Sequence, residues 1–197
     1  MPKLIVISGP SGAGKGTLIR AAAPHFDRLL ISVSATTRAR RAGEREGRDY
    51  RFMSRADFLR RVEEGQFLEW AEFGGNLYGT PADFVDAGLE AGNDVILEIE
   101  LKGARQVRAR RPQAVSIFIQ PPSLAELERR LRLRNTENEE EIHRRIEHAR
   151  EELDALQADL LRAERDFHYV IVNADVELAA EALRSTIEEI RANDPAR

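Results

Sequence analysis

The sequence contains no cysteine, so neither a disulfide framework nor a thiolate metal site can be built from it. No apolar run approaches the ~20 residues that a membrane helix needs. The N-terminal run Leu4-Ile5-Val6-Ile7 stops at Ser8-Gly9 and is too short for the core of a secretory signal. Charge of one sign is also lacking: 34 acidic and 30 basic residues leave a formal −4, which argues against a nonspecific nucleic-acid binder with its dominant basic footprint. Lysine is scarce. Lys3, Lys15 and Lys102 are the lysines among the 30 basic residues, and the rest are arginine. An isolated arginine is therefore weak evidence of function here, whereas each lysine stands out. These absences point to a soluble cytoplasmic chain with no membrane or nucleic-acid partner. Its 197 residues suffice for one domain with an insertion.

What is present is an alternation of short apolar runs and helical periods. Strands are expected at 4–7, 29–33, 95–99, 115–119 and 169–172, and helices at 15–23, 81–91, 103–110, 123–133, 139–165 and 176–192. Ser123 with Glu126 makes a capping box, and Asp175 stands at an N-cap position. Near-continuous apolar strands between helices imply a parallel sheet covered on both faces, a three-layer α/β fold. Residues 35–80 break the rhythm with an Arg-rich run, a helix opened by Ser54 with Asp57, and the alternating string Phe67-Leu68-Glu69-Trp70-Ala71-Glu72-Phe73. They are expected to form a small antiparallel or mixed insertion. Residues 133–150 are dense in charge and lead into a helix whose apolar stripe, from Ile142 to Leu160, is expected to pack on the domain's own sheet rather than on a second copy.

Gly9-Pro10-Ser11-Gly12-Ala13-Gly14-Lys15-Gly16-Thr17 follows a strand and precedes a helix, the context of a phosphate-binding loop. Glycines let successive backbone N–H groups turn inward, and the helix N-terminus adds partial positive charge. Lys15 can then reach the β- and γ-phosphates of a nucleoside triphosphate. Gly16 occupies the position where Ser or Thr ordinarily binds Mg²⁺, and the hydroxyl comes one residue later, on Thr17. Thr17 is therefore expected on a phosphate, with Mg²⁺ held largely by phosphate oxygens and water.

Taken with that loop, Ser32-Val33-Ser34-Ala35-Thr36-Thr37-Arg38, Arg41-Ala42-Gly43-Glu44, Gly47-Arg48-Asp49-Tyr50, Glu69-Trp70-Ala71, Tyr78-Gly79-Thr80 and Ile96-Leu97-Glu98-Ile99-Glu100 resemble guanylate kinase, a nucleoside monophosphate kinase family of the P-loop fold. The resemblance implies a parallel-sheet core (1–34, 81–132 and 151–197), a GMP-binding insertion (35–80) and a helical lid (133–150). It implies transfer of the ATP γ-phosphoryl group to GMP, and to dGMP, giving ADP and GDP, with Mg²⁺ as cofactor and a monomer or weak homodimer as the working form. By the family pattern Arg38, Arg41, Tyr50 and Tyr78 hold the acceptor phosphate. That segment carries six arginines against three acids between Arg38 and Arg51. Glu69 and Glu100 would accept from guanine N1–H and N2–H, and Ser34 and Thr80 supply hydroxyls to O6. A site built around such a carboxylate can discriminate by about 10⁴. Glu98 and Glu100 stand where the family usually has Asp, and Thr80 where it has Ser.

Glu98 is assigned to the hydration shell of Mg²⁺, Asn173 to the neighbourhood of the donor adenine, and Arg134 and Arg145 to the lid arginines. Asn135 follows where Gly is common. The four histidines, His25, His143, His148 and His168, lie at no metal-ligand spacing, and no general base is needed because the nucleophile is already an anion. Two alternatives share the framework: a kinase for another phosphate acceptor such as ribose 1,5-bisphosphate, and a non-catalytic guanylate-kinase-like binding module.

Overall fold

The computed structural model describes residues 1–133, 139–162 and 166–193. Among them the chain forms β1 (Leu4–Ser8), α1 (Lys15–Ala22), β2 (Leu29–Ile31), β3 (Ala35–Thr36), β4 (Arg51–Phe52), α2 (Arg55–Glu63), β5 (Phe67–Phe73), β6 (Asn76–Pro81), α3 (Ala82–Glu90), β7 (Asp94–Glu98), α4 (Leu101–Arg110), β8 (Val115–Gln120), α5 (Leu124–Leu133), α6 (Glu139–Leu160), β9 (Tyr169–Val172) and α7 (Val176–Ala192).

Strands β2, β7, β1, β8 and β9 pair in that order as a wholly parallel sheet. The period-2 rule divides its side chains cleanly. Ile5, Ile7, Ile96, Ile117 and Ile119 face α1 and α7, meeting Leu18, Ile19, Leu183 and Ile187. Leu4, Val6, Val95, Leu97 and Phe118 face the other way, onto Val85 of α3, Val107 of α4 and Leu156 of α6. Burial on both faces explains why these strands read as continuous apolar runs. The fold is the expected three-layer α/β arrangement. Connections change side at β1, so the loop after it opens at the switch point where such sheets take ligands.

A second, mixed sheet runs β4-β3-β6-β5 and packs on α2. Phe58 of α2 stacks on Phe67 with ring centroids 4.4 Å apart. Ser54 caps α2, accepting from the Asp57 N–H at 3.0 Å, and Asp175 caps α7 through the N–H groups of Glu177 and Leu178. The Glu126 N–H likewise donates to the Ser123 hydroxyl at 3.1 Å.

Three element boundaries differ from expectation by two residues or more, and the others lie within one residue. The second strand stops at Ile31 rather than Val33: Ser32 N–H still bonds Ile96 O at 2.9 Å, after which the chain leaves for the second sheet. Helix α4 starts at Leu101, two residues early. Helix α6 ends at Leu160 rather than Arg165, because the buried Asp159 carboxylate accepts the N–H groups of Asp166 (2.6 Å) and Phe167 (3.2 Å) and turns the chain toward β9. Most of the apolar stripe of α6 is spent within the domain, and Leu160 at its end is exposed. Leu156 joins the core, and Ala149 packs with Leu127 and Leu131 of α5.

Candidate active site

The loop between β1 and α1 is fixed by contacts that only glycine allows. A Cβ at Gly9 would lie 2.2 Å from the Ile119 carbonyl oxygen, and one at Gly14 would lie 2.4 Å from Asn173 Nδ2, at φ +92°. Unlike α2 and α7, α1 has no side-chain cap. Its first N–H groups are therefore available to an anion, where the helix dipole favours one. Lys15, the first residue of α1, donates to the carbonyls of Gly9 (2.5 Å) and Pro10 (3.2 Å) and so lies along the loop.

Two cavities adjoin at the carboxyl edge of the sheet. The larger, about 850 Å³, is lined by Gly12, Gly14, Lys15, Gly16 and Thr17 among others. The smaller, about 290 Å³, is lined by Arg38, Arg41, Glu69, Tyr78 and Gly103. Ser11, Ser34, Tyr50, Glu98, Glu100 and Arg145 border both, so the two are lobes of one cleft. Arg145 reaches across from α6 and donates to the Ser11 hydroxyl at 3.1 Å.

The smaller lobe owes its chemistry to a β-bulge. Between Phe67 and Glu69 the register of β5 on β6 slips, so that Phe67 faces Pro81 while Glu69 faces Thr80. Strict alternation would put Glu69 on the same side as Phe67, inside the aromatic core over α2. With the bulge, Phe67 and Trp70 share that core, and Leu68 turns to the main core. Glu69, Ala71 and Phe73 then line the cavity. Bulges re-aim side chains in this way beside functional sites. Glu69 is buried at 6% exposure, and its Oε1 accepts from the Thr80 hydroxyl at 2.6 Å. Burial pushes its carboxyl up to about 7; the Thr80 hydrogen bonds oppose the rise and the neighbouring Glu100 charge adds to it.

The opposite wall is basic and aromatic. Arg38 donates to Glu44 Oε1 at 2.6 Å and lies 5.4 Å from the Tyr50 ring centroid. Tyr50 and Tyr78 meet edge to face at 6.1 Å. Glu44 also accepts the Arg41 N–H at 2.8 Å. Its carboxyl is held below the usual range, first by the Arg38 hydrogen bond. Burial raises the Tyr50 phenol, so it stays a neutral hydrogen-bond donor at neutral pH.

The family model described as guanylate kinase matches residues 1–190. The chain belongs to the guanylate kinase family. It is 54% identical to the guanylate kinase of Rubrobacter xylanophilus over 194 residues, 98% of this chain and 97% of that one. Against the guanylate kinase of a Synechococcus species the identity is 48% over 185 residues, 94% of this chain and 82% of the relative. Among solved structures, the crystal structure of guanylate kinase from Anaplasma phagocytophilum superposes with a TM-score of 0.72 at 33% identity, covering 95% of this chain and 85% of that one.

Of the residues expected from sequence, Ser11, Gly12, Gly14, Lys15, Gly16 and Thr17 line the larger lobe, while Gly9, Pro10 and Ala13 are buried and line neither; Ser34, Arg38, Arg41, Tyr50, Glu69, Tyr78 and Glu100 line the smaller. Thr80 borders the smaller lobe through its bond to Glu69. Glu98, the last residue of β7, is exposed and borders both. Arg134 and Asn135 lie outside the described residues. Asn173 is buried at 1% exposure, and its Nδ2 donates to the Ala13 carbonyl at 2.7 Å, bracing the loop from behind. Asp175, two residues on, caps α7 as expected.

Sequence reasoning missed four supports. Glu44 orients Arg38, and Arg130 donates to the Asn173 carbonyl at 2.9 Å. Gln106 of α4 clamps β5, accepting from Trp70 N–H at 3.2 Å and donating to Trp70 O at 2.9 Å. Gly103, one turn earlier on α4, leaves the space that the Glu69 carboxylate fills. The signal was a glycine and a glutamine three apart on one helix face.

Gly103→Ala makes a sharp test of that packing. The added Cβ would lie 2.6 Å from Glu69 Oε2 and 3.1 Å from its Cδ, so a carboxylate pinned by Thr80 has to move. Alanine favours the helix by about 1 kcal/mol over glycine. The melting temperature should therefore hold or rise while the KM for GMP increases about tenfold or more. Steady-state kinetics with a melting curve reads both, and an unchanged KM would remove Gly103 from the site.

Proposed function

We propose that the larger lobe receives ATP and the smaller GMP, so that the cleft holds the two nucleotides end to end for ATP:GMP phosphotransfer. The observation that carries the acceptor assignment is Glu69. A buried carboxylate, with a hydroxyl on its Oε1, opens into a lobe whose far wall is Arg38, Arg41, Tyr50 and Tyr78. Guanine offers N1–H and N2–H as adjacent donors, and Glu69 accepts them while the Ser34 hydroxyl donates to O6; the one Thr80 hydroxyl proton stays on Glu69 Oε1, so Thr80 orients the carboxylate rather than meeting O6 as expected. Adenine lacks that donor pair and would leave the carboxylate unpaired. Glu100 adds a second acceptor at the lobe's edge. The arginines form forked bonds to the GMP phosphate, and the tyrosine hydroxyls donate further.

The nucleophile is a phosphate oxygen of GMP. It forms a bond to the γ-phosphorus as the bridging bond to ADP breaks, and no side chain has to take a proton. The chain's own contribution is position and charge. The N–H groups of Gly12, Gly14, Lys15 and Gly16 hold the β-phosphate, those of Ala13 and Thr17 being spent on the Pro10 and Gly14 carbonyls; Lys15 leaves its carbonyl partners for the β/γ oxygens, and Arg38 and Arg41 fix the acceptor in line. Arg145 and Arg134 bring positive charge to the transferring group as the helical lid, 133–150, closes over the core and the 35–80 insertion. Asn173 holds the loop on the donor side, toward the adenine.

Mg²⁺ fits the residues present. The Glu98 carboxylate stands over Gly16, its Oε2 3.1 Å from the position of a Cβ there, beside Thr17 in the same lobe. These are hard oxygen donors, with room for the waters that this ion keeps. When bound, the ion neutralises charge on the triphosphate; Glu98 would hold it through water. Among the described residues no helix is long and apolar enough to cross a membrane. With ATP and GMP as substrates, the cytoplasm is the compartment that supplies both, and the internal packing of α6 suits a monomer or weak homodimer.

Neither a sugar bisphosphate kinase nor a binding module is favoured. A sugar phosphate has no donor pair for Glu69, and a module that only binds has no use for Lys15 and Arg145. The test is ADP release from ATP and Mg²⁺ with GMP, dGMP, AMP or ribose 1,5-bisphosphate. GMP and dGMP should turn over, and AMP should fall short by about 10³-fold or more in kcat/KM. AMP turnover equal to that of GMP would overturn the base assignment.

A further inference from the structure

Where Glu100 borders both lobes, Glu100, His148 and Glu152 each bring one ligand atom to within 4.8 Å of the others. We propose that these three residues form a binding site for a divalent transition-metal ion of the Zn²⁺ type, and that this ion competes with GMP for Glu100. His148 and Glu152 are four apart on α6 and so share one helical face. Glu100 comes from the turn between β7 and α4, where its side chain makes no capping bond. Spacing among the histidines alone concealed the cluster; the partner of His148 is a carboxylate one turn along.

The second observation is the state of Glu152. It is buried at 3% exposure, and its Oε1 accepts the Leu101 N–H at 3.1 Å. Its Oε2 is buried with no hydrogen-bond partner. A buried carboxylate oxygen left unpaired is costly, and its destabilisation falls if a cation takes it. The charges that act on it are those of Lys15, Glu100 and His148, in that order. The Leu101 N–H fixes one oxygen and leaves the other for an ion, as hydrogen-bonded carboxylate ligands generally are fixed.

The donor set selects the class of ion. One imidazole and two carboxylates, with a fourth position for water, suit Zn²⁺ and its first-row neighbours; Mg²⁺ prefers oxygen and water alone. Metal–ligand distances of about 2.0–2.2 Å require the three atoms to draw in by roughly 1 Å, within reach of carboxylate rotamers. Glu98, which borders both lobes, is not one of the three ligands. Competition with GMP rests on the reading of Glu100 as a guanine acceptor: an oxygen bound to the ion cannot also accept from the base. By linkage, the ion and GMP weaken each other by the same factor.

The experiment is Zn²⁺ titration of the nucleotide-free protein against a chromophoric chelator, with Co²⁺ as a visible-absorption probe. One ion per chain is expected. His148→Ala and His148→Gln, checked for folding by circular dichroism, should weaken it at least about tenfold and abolish the Co²⁺ band. His143→Ala, on an exposed position of the same helix, should leave both unchanged. Saturating GMP, corrected for Zn²⁺ bound by the nucleotide itself, should lower the affinity. Equal Zn²⁺ affinity in the wild type and both His148 variants would overturn the site, and indifference to GMP would overturn the competition. Failure of metal-free protein to bind GMP would count instead against the acceptor reading, with the Zn²⁺ titration still a valid test of the three ligands.

Discussion

Lys15→Ala is expected to lower kcat by about 10³-fold or more while KM for GMP stays within a few-fold of wild type. Its amine is the cation built into the start of α1, and its present partners are two carbonyls of the same loop. Those bonds are only partly buried, so their loss costs little stability; net values are about 1 kcal/mol each. The loop's shape does not depend on Lys15 either. Gly9 is pressed against Ile119, and Asn173 holds Ala13. The variant should therefore fold, melt close to wild type and bind GMP in the other lobe. What it lacks is charge where the transferring phosphoryl group accumulates it. Single-turnover measurement with saturating ATP and GMP checks the step directly. A variant that kept a tenth of wild-type kcat would show that the uncapped N–H groups and arginines suffice without Lys15.

The sequence made the donor side legible because a backbone cradle has a narrow solution. Glycines at 9, 12 and 14 take positive φ, two of them against atoms that a Cβ would strike. Few other residue orders can build that loop, so the string alone announces it. The sheet was equally readable, since burial on both faces writes itself as an apolar run. The acceptor side was legible in residue type and less so in geometry. Alternation in 67–73 signalled a strand, but the bulge that turns Glu69 out of the aromatic core leaves no local mark. It arises from the fit of β5 between β6 and α4, where Gln106 grips Trp70 and Gly103 makes room.

Tertiary partners explain the other misses. The Asn173 amide is used 160 residues away in sequence, on Ala13, where no local pattern announces it. The Glu100–His148–Glu152 group likewise exists only once α6 lies over the start of α4, through the bond from Leu101 N–H to Glu152. The same contact ties the two lobes together. Helix α6 carries Arg145 on Ser11 two turns before Glu152 meets the backbone next to Glu100.

Glu69→Gln should lower kcat/KM for GMP by about 10²-fold, through KM, and should narrow the preference for GMP over AMP. Glutamine keeps one acceptor oxygen but loses the charge and presents an NH₂ to the guanine donors. The free protein should respond in the opposite direction. With the folded carboxyl at about 7 against 4.5 for the ordinary group, the native state keeps a proton that the unfolded chain has released. Wild-type stability is thus highest below pH 4.5 on this account and declines as pH rises to about 7. Beyond that the buried charge costs up to about 3 kcal/mol. Glu69→Gln removes that slope, so the variant should match wild type near pH 4.5 and exceed it at pH 8 in urea unfolding. Binding follows the same proton. Guanine pairs with the ionised carboxylate, so GMP affinity should rise toward pH 7 with release of a proton, then level off. The phosphate's own second ionisation, near pH 6, falls in the same window, but it is common to both proteins. The difference between the two pH profiles of Kd, measured by calorimetry in buffers of unlike ionisation heat, isolates Glu69. Parallel profiles, with equal proton release in wild type and variant, would mean that this carboxylate does not meet the base.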